Sequence, residues 1–316
     1  MPTWIDLDQV EDAFVRADGF QRPNWDRIRA LAAAVPPECL DAAWSEVATQ
    51  WVQRLRADLG GRYHVAQSGR FLLLSELEPG TVHELIGVAA RTLDLVQQVL
   101  GESERPPGWG KRVILLFTEL DDYYQYVSYF CRDGTNPASG GMLIRKDYIH
   151  VAAPYEDGRY IRQTLAHELT HAAVVQLPLP RWLNEGLAVT VQKRIAKSGV
   201  PALDADLRDE HVAFWNEDRI QSFWAGTSFY EPGESNKLSY SLAEILVSLL
   251  SADPEKFVNF VRSAQATDAG QTAALDVLGV SLGDTVATFL GEGNWRPVRK
   301  AIVDCWAAAG WTSKPS

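Results

Sequence analysis

Residues 167–188 read HELTHAAVVQLPLPRWLNEGLA, and the fold turns on whether this is a metal-binding helix pair or an ordinary amphipathic stretch. In an α-helix, residues four apart are offset by roughly 6 Å of rise and about 40° of rotation. His167 and His171 therefore project two imidazoles side by side, a spacing suited to two ligands of one tetrahedral ion. Glu168 is turned away by about 100°, where it can hold a water next to such an ion and take its proton. Zinc lowers the pKa of that water toward ~7 and polarises a scissile carbonyl. A catalytic zinc wants a third protein ligand and one open position. Glu185 supplies the carboxylate if a second helix packs against the first, and Pro178 and Pro180 make the reversal this needs. A helix whose histidines only cap or pack against neighbours is the bland alternative.

The flanking sequence places these helices after a mixed segment. Residues 38–59 carry Leu40, Trp44, Val47, Ala48, Trp51, Leu55 and Leu59 at helical spacing and stop at Gly60-Gly61. RYHVAQ and RFLLLSEL flank Ser68-Gly69, which predicts a β-hairpin over 62–77. Residues 81–100 return to helical periodicity, KRVILLFTEL is a buried strand, and DDYYQYVSYF is helical or irregular. MLIR and YIHVAAP read as two further strands parted by Lys146-Asp147, with loops expected at 101–110 and 131–141. The motif helix runs from about 160 to 175, and a second from 180 to 198, ending at Gly199. Beyond 200 the pattern is helical, apart from a loop at 225–237.

Composition narrows the function classes. The chain has 316 residues and is 46% hydrophobic, enough for a substantial core, and its net charge is −11. With no Lys/Arg-rich run and no basic helix face, nucleic acid and anionic membrane are excluded as main partners. Cys39, Cys131 and Cys305 are far apart and odd in number, which fits free thiols in a reducing compartment. The acidic start MPTWIDLDQVEDAF has no signal-peptide pattern, and no apolar run is long enough to span a membrane. The expected location is therefore cytoplasmic.

HELTH followed by WLNEGLA resembles the gluzincin metallopeptidases, the clan of thermolysin and of the aminopeptidase N family, and is most similar to compact peptidase MA-like domains. The resemblance implies one Zn2+ per chain, held by His167, His171 and Glu185, with Glu168 as general base and Asn184 orienting the site beside the third ligand. The periodicity read along the chain gives an α+β fold with three parts, of which the resemblance makes the middle one zincin-like. A short N-terminal helical extension (1–60) precedes a zincin-like mixed α/β lobe (61–199) with a small twisted sheet and the active-site helix, and an all-helical C-terminal lobe (200–316) follows. YIHVAAP would lie near the edge strand that pairs with a substrate backbone, bringing Tyr148, His150 and Ala152 to the substrate. SYSLAEILVSLL is similar to the segment in which aminopeptidase N relatives carry an oxyanion-binding tyrosine followed by a small residue. Tyr240 and Ala243 match those positions, with Tyr230 and His211 as weaker candidates.

Three departures matter. The gap between His171 and Glu185 is shorter than in thermolysin or the aminopeptidases. Val189 stands where thermolysin carries an acidic partner for a ligand histidine. GGMLI is similar to the GAMEN stretch of aminopeptidases, but Leu143 replaces their amine-binding glutamate. The expected activity is a zinc metallopeptidase acting on peptides or proteins, as an endopeptidase rather than an aminopeptidase. The alternatives are a catalytically inactive peptide- or partner-binding module of the same shape, and a zinc hydrolase of a non-peptide substrate. Residues 1–60 either cover the α/β lobe or restrict access to its cleft.

Overall fold

The computed structural model describes residues 5–100, 110–131, 140–197 and 205–308. The loops expected at 101–110 and 131–141 and the stop at Gly199 fall largely or wholly outside them. The chain divides into two compact units, Met1–Arg91 with Ser103–Ala172, and Thr92–Glu102 with Ala173–Ser316.

The first unit opens with a hairpin of β1 (Phe14–Ala17) and β2 (Phe20–Pro23). Its turn is Asp18-Gly19, with φ of 48° and 84°, the paired positive values that a two-residue hairpin turn requires. Helix α1 (Trp25–Ala32) follows, capped by Asn24, whose side chain accepts from the Arg27 backbone N–H. Helix α2 (Leu40–Leu59) ends at Gly60, φ 105°. Then come β3 (His64–Ser68) and β4 (Phe71–Ser75), α3 (Pro79–Leu100), β5 (Arg112–Phe117), α4 (Leu120–Ser128), β6 (Met142–Ile144), β7 (His150–Pro154) and α5 (Gly158–Val174).

The five-stranded sheet has the order β3-β4-β5-β7-β6. β4, β5 and β7 run parallel, while β3 and β6 are antiparallel to their neighbours. The parallel strands are buried almost throughout, which is why FLLLS, RVILLF and HVAAP are continuous apolar runs rather than alternating ones. Val47, Trp51 and Leu55 of α2 share one core with Leu72, Leu74, Val113, Leu115 and Ala152 of the sheet.

Within residues 5–60, side chains of α1 and α2 share the core of this sheet, and the segment includes the β1–β2 hairpin as well as helices.

Among the described residues the second unit is helical, and it takes in the end of α3 from Thr92. It comprises α6 (Arg181–Ile195), α7 (Ala205–Phe214), α8 (Ile220–Ala225), α9 (Glu234–Leu250), α10 (Pro254–Ser263), a short α11 (Gln271–Ala273) that widens into a π turn over Ala274–Leu278, α12 (Leu282–Leu290) and α13 (Arg299–Ala308). Its core gathers Trp182, Phe223, Trp224, Leu246 and Phe260. The helix carrying Glu185 therefore belongs with the C-terminal helices, whereas the pattern of the sequence groups it with the sheet. The segment at 225–237, expected as a loop, contains a 3-10 turn over Thr227–Tyr230 and the start of α9. Among the described residues no single helix is long and apolar enough to cross a membrane. Cys39, Cys131 and Cys305 form no disulfide with one another.

Candidate metal centre

Helix α5 begins where Asp157 accepts hydrogen bonds from the backbone N–H groups of Arg159 and Tyr160, both at 2.7 Å. Ile161, Leu165, Ala166, Leu169 and Ala172 form its buried stripe, leaving His167 half-buried and His171 buried. Pro178 and Pro180 bar continuation, and α6 starts directly after Pro180.

The two imidazoles meet as the i, i+4 spacing requires. Their rings are nearly perpendicular with centroids 4.6 Å apart, and the two Nε2 atoms face each other at 3.0 Å. Two ring nitrogens at that distance repel through their lone pairs unless a proton or a cation lies between them. Ligands of a tetrahedral zinc with bonds near 2.05 Å stand roughly 3.3 Å apart, so the pair is close to ligating separation.

Glu185, 1% exposed, completes the group: ligand atoms of His167, His171 and Glu185 all lie within 4.8 Å of one another. Two imidazoles and a carboxylate are a donor set that fits zinc. This group can hold a metal ion.

Glu168, the residue after His167, is tied to the edge of the sheet through one carboxylate oxygen. Its Oε2 accepts from the Leu143 backbone N–H at 2.8 Å. Leu143 pairs with Val151 in the antiparallel β6–β7 ladder. A residue in such a ladder exchanges both of its backbone bonds with its partner or neither. Because the Leu143 N–H goes to Glu168, its carbonyl also points away from β7, toward the side of β6 that no described strand covers. Gly141 makes this approach possible, since a Cβ there would lie 2.4 Å from Thr164 Cγ2 on α5.

Glu185 owes its position to the residue after it. A Cβ on Gly186 would meet the Ala243 carbonyl oxygen at 2.6 Å and Val247 Cγ2 at 2.7 Å, so α6 lies directly on α9 at this point. Arg181, one turn before Glu185, places Nε 2.9 Å from Glu185 Oε1. Its guanidinium lies 4.8 Å from the centroid of the Tyr230 ring and hydrogen-bonds Tyr240. Burial by itself lowers the Arg181 pKa; Glu185, Tyr230 and Tyr240 outweigh it and hold the guanidinium above its ordinary value.

Tyr240, on α9, is half-buried and packs edge-on to Phe229, with centroids 5.2 Å apart. Asn184 stands beside Glu185 on α6 and is half-buried.

The expected substrate strand is corrected. β7 is paired on both sides, by β5 and β6, and has no open ladder. Among the described residues the edge strands of this sheet are β3 and β6, and β6 is the one beside β7. Tyr148, His150 and Ala152 are buried in the core of the first unit. His150 donates from Nδ1 to the Tyr148 carbonyl and accepts from the Tyr126 hydroxyl at Nε2, and burial pushes its pKa down to about 4. His211 is likewise internal. Trp215 Nε1 donates to its Nδ1 and Ser241 sits 3.0 Å from its Nε2, while burial lowers its pKa to about 4.

Two contributors were not evident from the motif, the Leu143 backbone and Arg181. Only Arg181 left a signal, its i, i+4 spacing to Glu185. Compared with known proteins, the chain matches no family model and no curated sequence.

Proposed function

We propose that the protein is a zinc-dependent metallopeptidase of the gluzincin type, cleaving internal peptide bonds. The observation that carries the reading is the convergence of His167, His171 and Glu185, with Glu168 following the first histidine. A zinc ion held by these three residues would supply Lewis acidity and make water deprotonate near neutral pH.

The chain's own groups account for the rest. Glu168 takes the proton of the attacking water as the water oxygen bonds to the scissile carbon. It then delivers that proton to the departing amide nitrogen as the C–N bond breaks. Among the described residues no strand covers the outer edge of β6, which offers the Leu143 carbonyl to an extended peptide beside the Glu168 carboxylate and supports pairing at 142–144. Leu143 brings no carboxylate to that edge, so a free substrate N-terminus finds no anchor there; this favours an endopeptidase. Tyr240 is assigned to stabilise the oxyanion.

The test is a library of internally quenched peptides presented to wild type and Glu168→Gln with zinc loading matched. Turnover by wild type and a loss of about 100-fold or more in the variant are expected. Equal turnover by the two proteins overturns the mechanism.

A further inference from the structure

Arg181 is clamped from several sides. Glu185 Oε1 lies 2.9 Å from its Nε, the Tyr230 ring lies against the guanidinium, and Tyr240 accepts a hydrogen bond from it. Gly226, at φ +81°, closes on the side-chain stem so tightly that a Cβ there would lie 2.6 Å from Arg181 Cβ.

A buried carboxylate is costly unless a cation compensates it. A bound metal would do so, and so does Arg181. Resting on the metal-centre reading above, we propose that Arg181 is a built-in counter-cation for the third metal ligand. It compensates Glu185 before metal arrives and then competes with the metal for the same carboxylate. The fold is thereby freed from dependence on metal, and metal affinity is set below what the two histidines and the glutamate alone would give.

The direction follows from comparing the two states. Removing the guanidinium from the metal-free protein strands a buried anion. Removing it from the loaded protein costs little, because the metal neutralises the carboxylate and a cation–cation repulsion is relieved. Loss of Arg181 should therefore weaken the metal-free fold and tighten metal binding. A residue that only positioned Glu185 for the metal would act in the opposite sense on affinity.

The experiment uses full-length wild type, Arg181→Met and the double variant Arg181→Met/Glu185→Gln. Each is stripped with a chelator, titrated with zinc against a competing chelator at about pH 8 where histidines are neutral, and melted with and without zinc. Arg181→Met should melt lower without zinc, bind zinc roughly tenfold tighter or more, and gain more in Tm from zinc than wild type does. The double variant, with both charges gone, should recover much of the metal-free Tm.

Zinc affinity in Arg181→Met that is unchanged or weaker overturns the proposal, as does an unchanged metal-free Tm. If Arg181→Met folds only with zinc, the proposal stands. If it folds in neither state, the double variant decides, with folding in support and failure against. A wild type that binds no zinc removes the metal-centre reading itself, an outcome distinct from zinc-binding wild type with an unaffected Arg181→Met.

Discussion

Gly186→Ala tests how the WLNEG turn of helix places Glu185, the proposed third ligand. The added methyl would lie 2.6 Å from the Ala243 carbonyl oxygen, 2.9 Å from the Ala243 carbonyl carbon and 2.7 Å from Val247 Cγ2. Two of the three atoms are backbone, so no rotamer change relieves them. Reaching ordinary contact requires α6 to move off α9 by about 0.8 Å. Overpacking of this kind costs about 1–3 kcal/mol, at the upper end here because backbone must shift. Alanine returns up to ~1 kcal/mol through better helix propensity. The net loss is about 2 kcal/mol, a fall in Tm of roughly 4–8 °C for a unit of this size.

The same displacement carries Glu185 with it. Metal sites tolerate ligand distances within about 0.2 Å, so zinc affinity should fall by about tenfold or more. Differential scanning calorimetry and zinc titration read the two effects. Gly80→Ala in α3, where a Cβ meets nothing within 4 Å, is the control and should melt at or above wild type. A Gly186→Ala protein with wild-type Tm and wild-type zinc affinity would refute the claim that close α6–α9 packing positions Glu185.

Three further outcomes follow from the same geometry. Tyr240→Phe should keep its zinc content and lose about 100-fold in kcat with little change in KM, and full turnover by steady-state assay would withdraw the oxyanion role. His150 and His211, each lowered from 6.5 to about 4 by burial, bind protons more weakly when folded. Each contributes roughly 3 kcal/mol that is fully present above about pH 6.5 and lost as pH falls through about 4; urea unfolding at about pH 7, 5.5 and 4.5 should show the decline, and a flat profile contradicts it. Chelation of wild type should abolish peptide cleavage and zinc should restore it, whereas cleavage that survives chelation and dialysis removes the metal from the reaction.

Much of the architecture was legible because the relevant signals are local. The 3.6-residue stripe of α2, the apolar runs of β4 and β5, and the proline-bounded α5 and α6 announce themselves residue by residue. The histidine pair of the candidate site was legible for the same reason: i, i+4 geometry brings His167 to His171 before any tertiary contact forms.

Non-local features were not. YIHVAAP has the same apolar look whether it is an edge or an inner strand, and only the pairing of Met142–Ile144 against it decides the matter. The β1–β2 hairpin did carry a sign in Asp18-Gly19, but its two strands of four residues, FVRA and FQRP, lack the alternation that would support it. Gly186 reads as part of a motif, yet its reason, the Ala243 backbone, lies far along the chain. Beyond its spacing to Glu185, Arg181 gives no sign of its role in the sequence, because a surface-type residue at the start of a helix is ordinary until the carboxylate one turn later proves buried.

The most direct test of the metal-centre account is zinc per chain in freshly purified protein, measured by plasma emission for wild type, His171→Ala and Glu185→Ala. The account predicts near one equivalent (about 1 per chain) in wild type and a steep fall in both variants. Zinc absent from wild type and not taken up on titration, or retained in full by both variants, would contradict it.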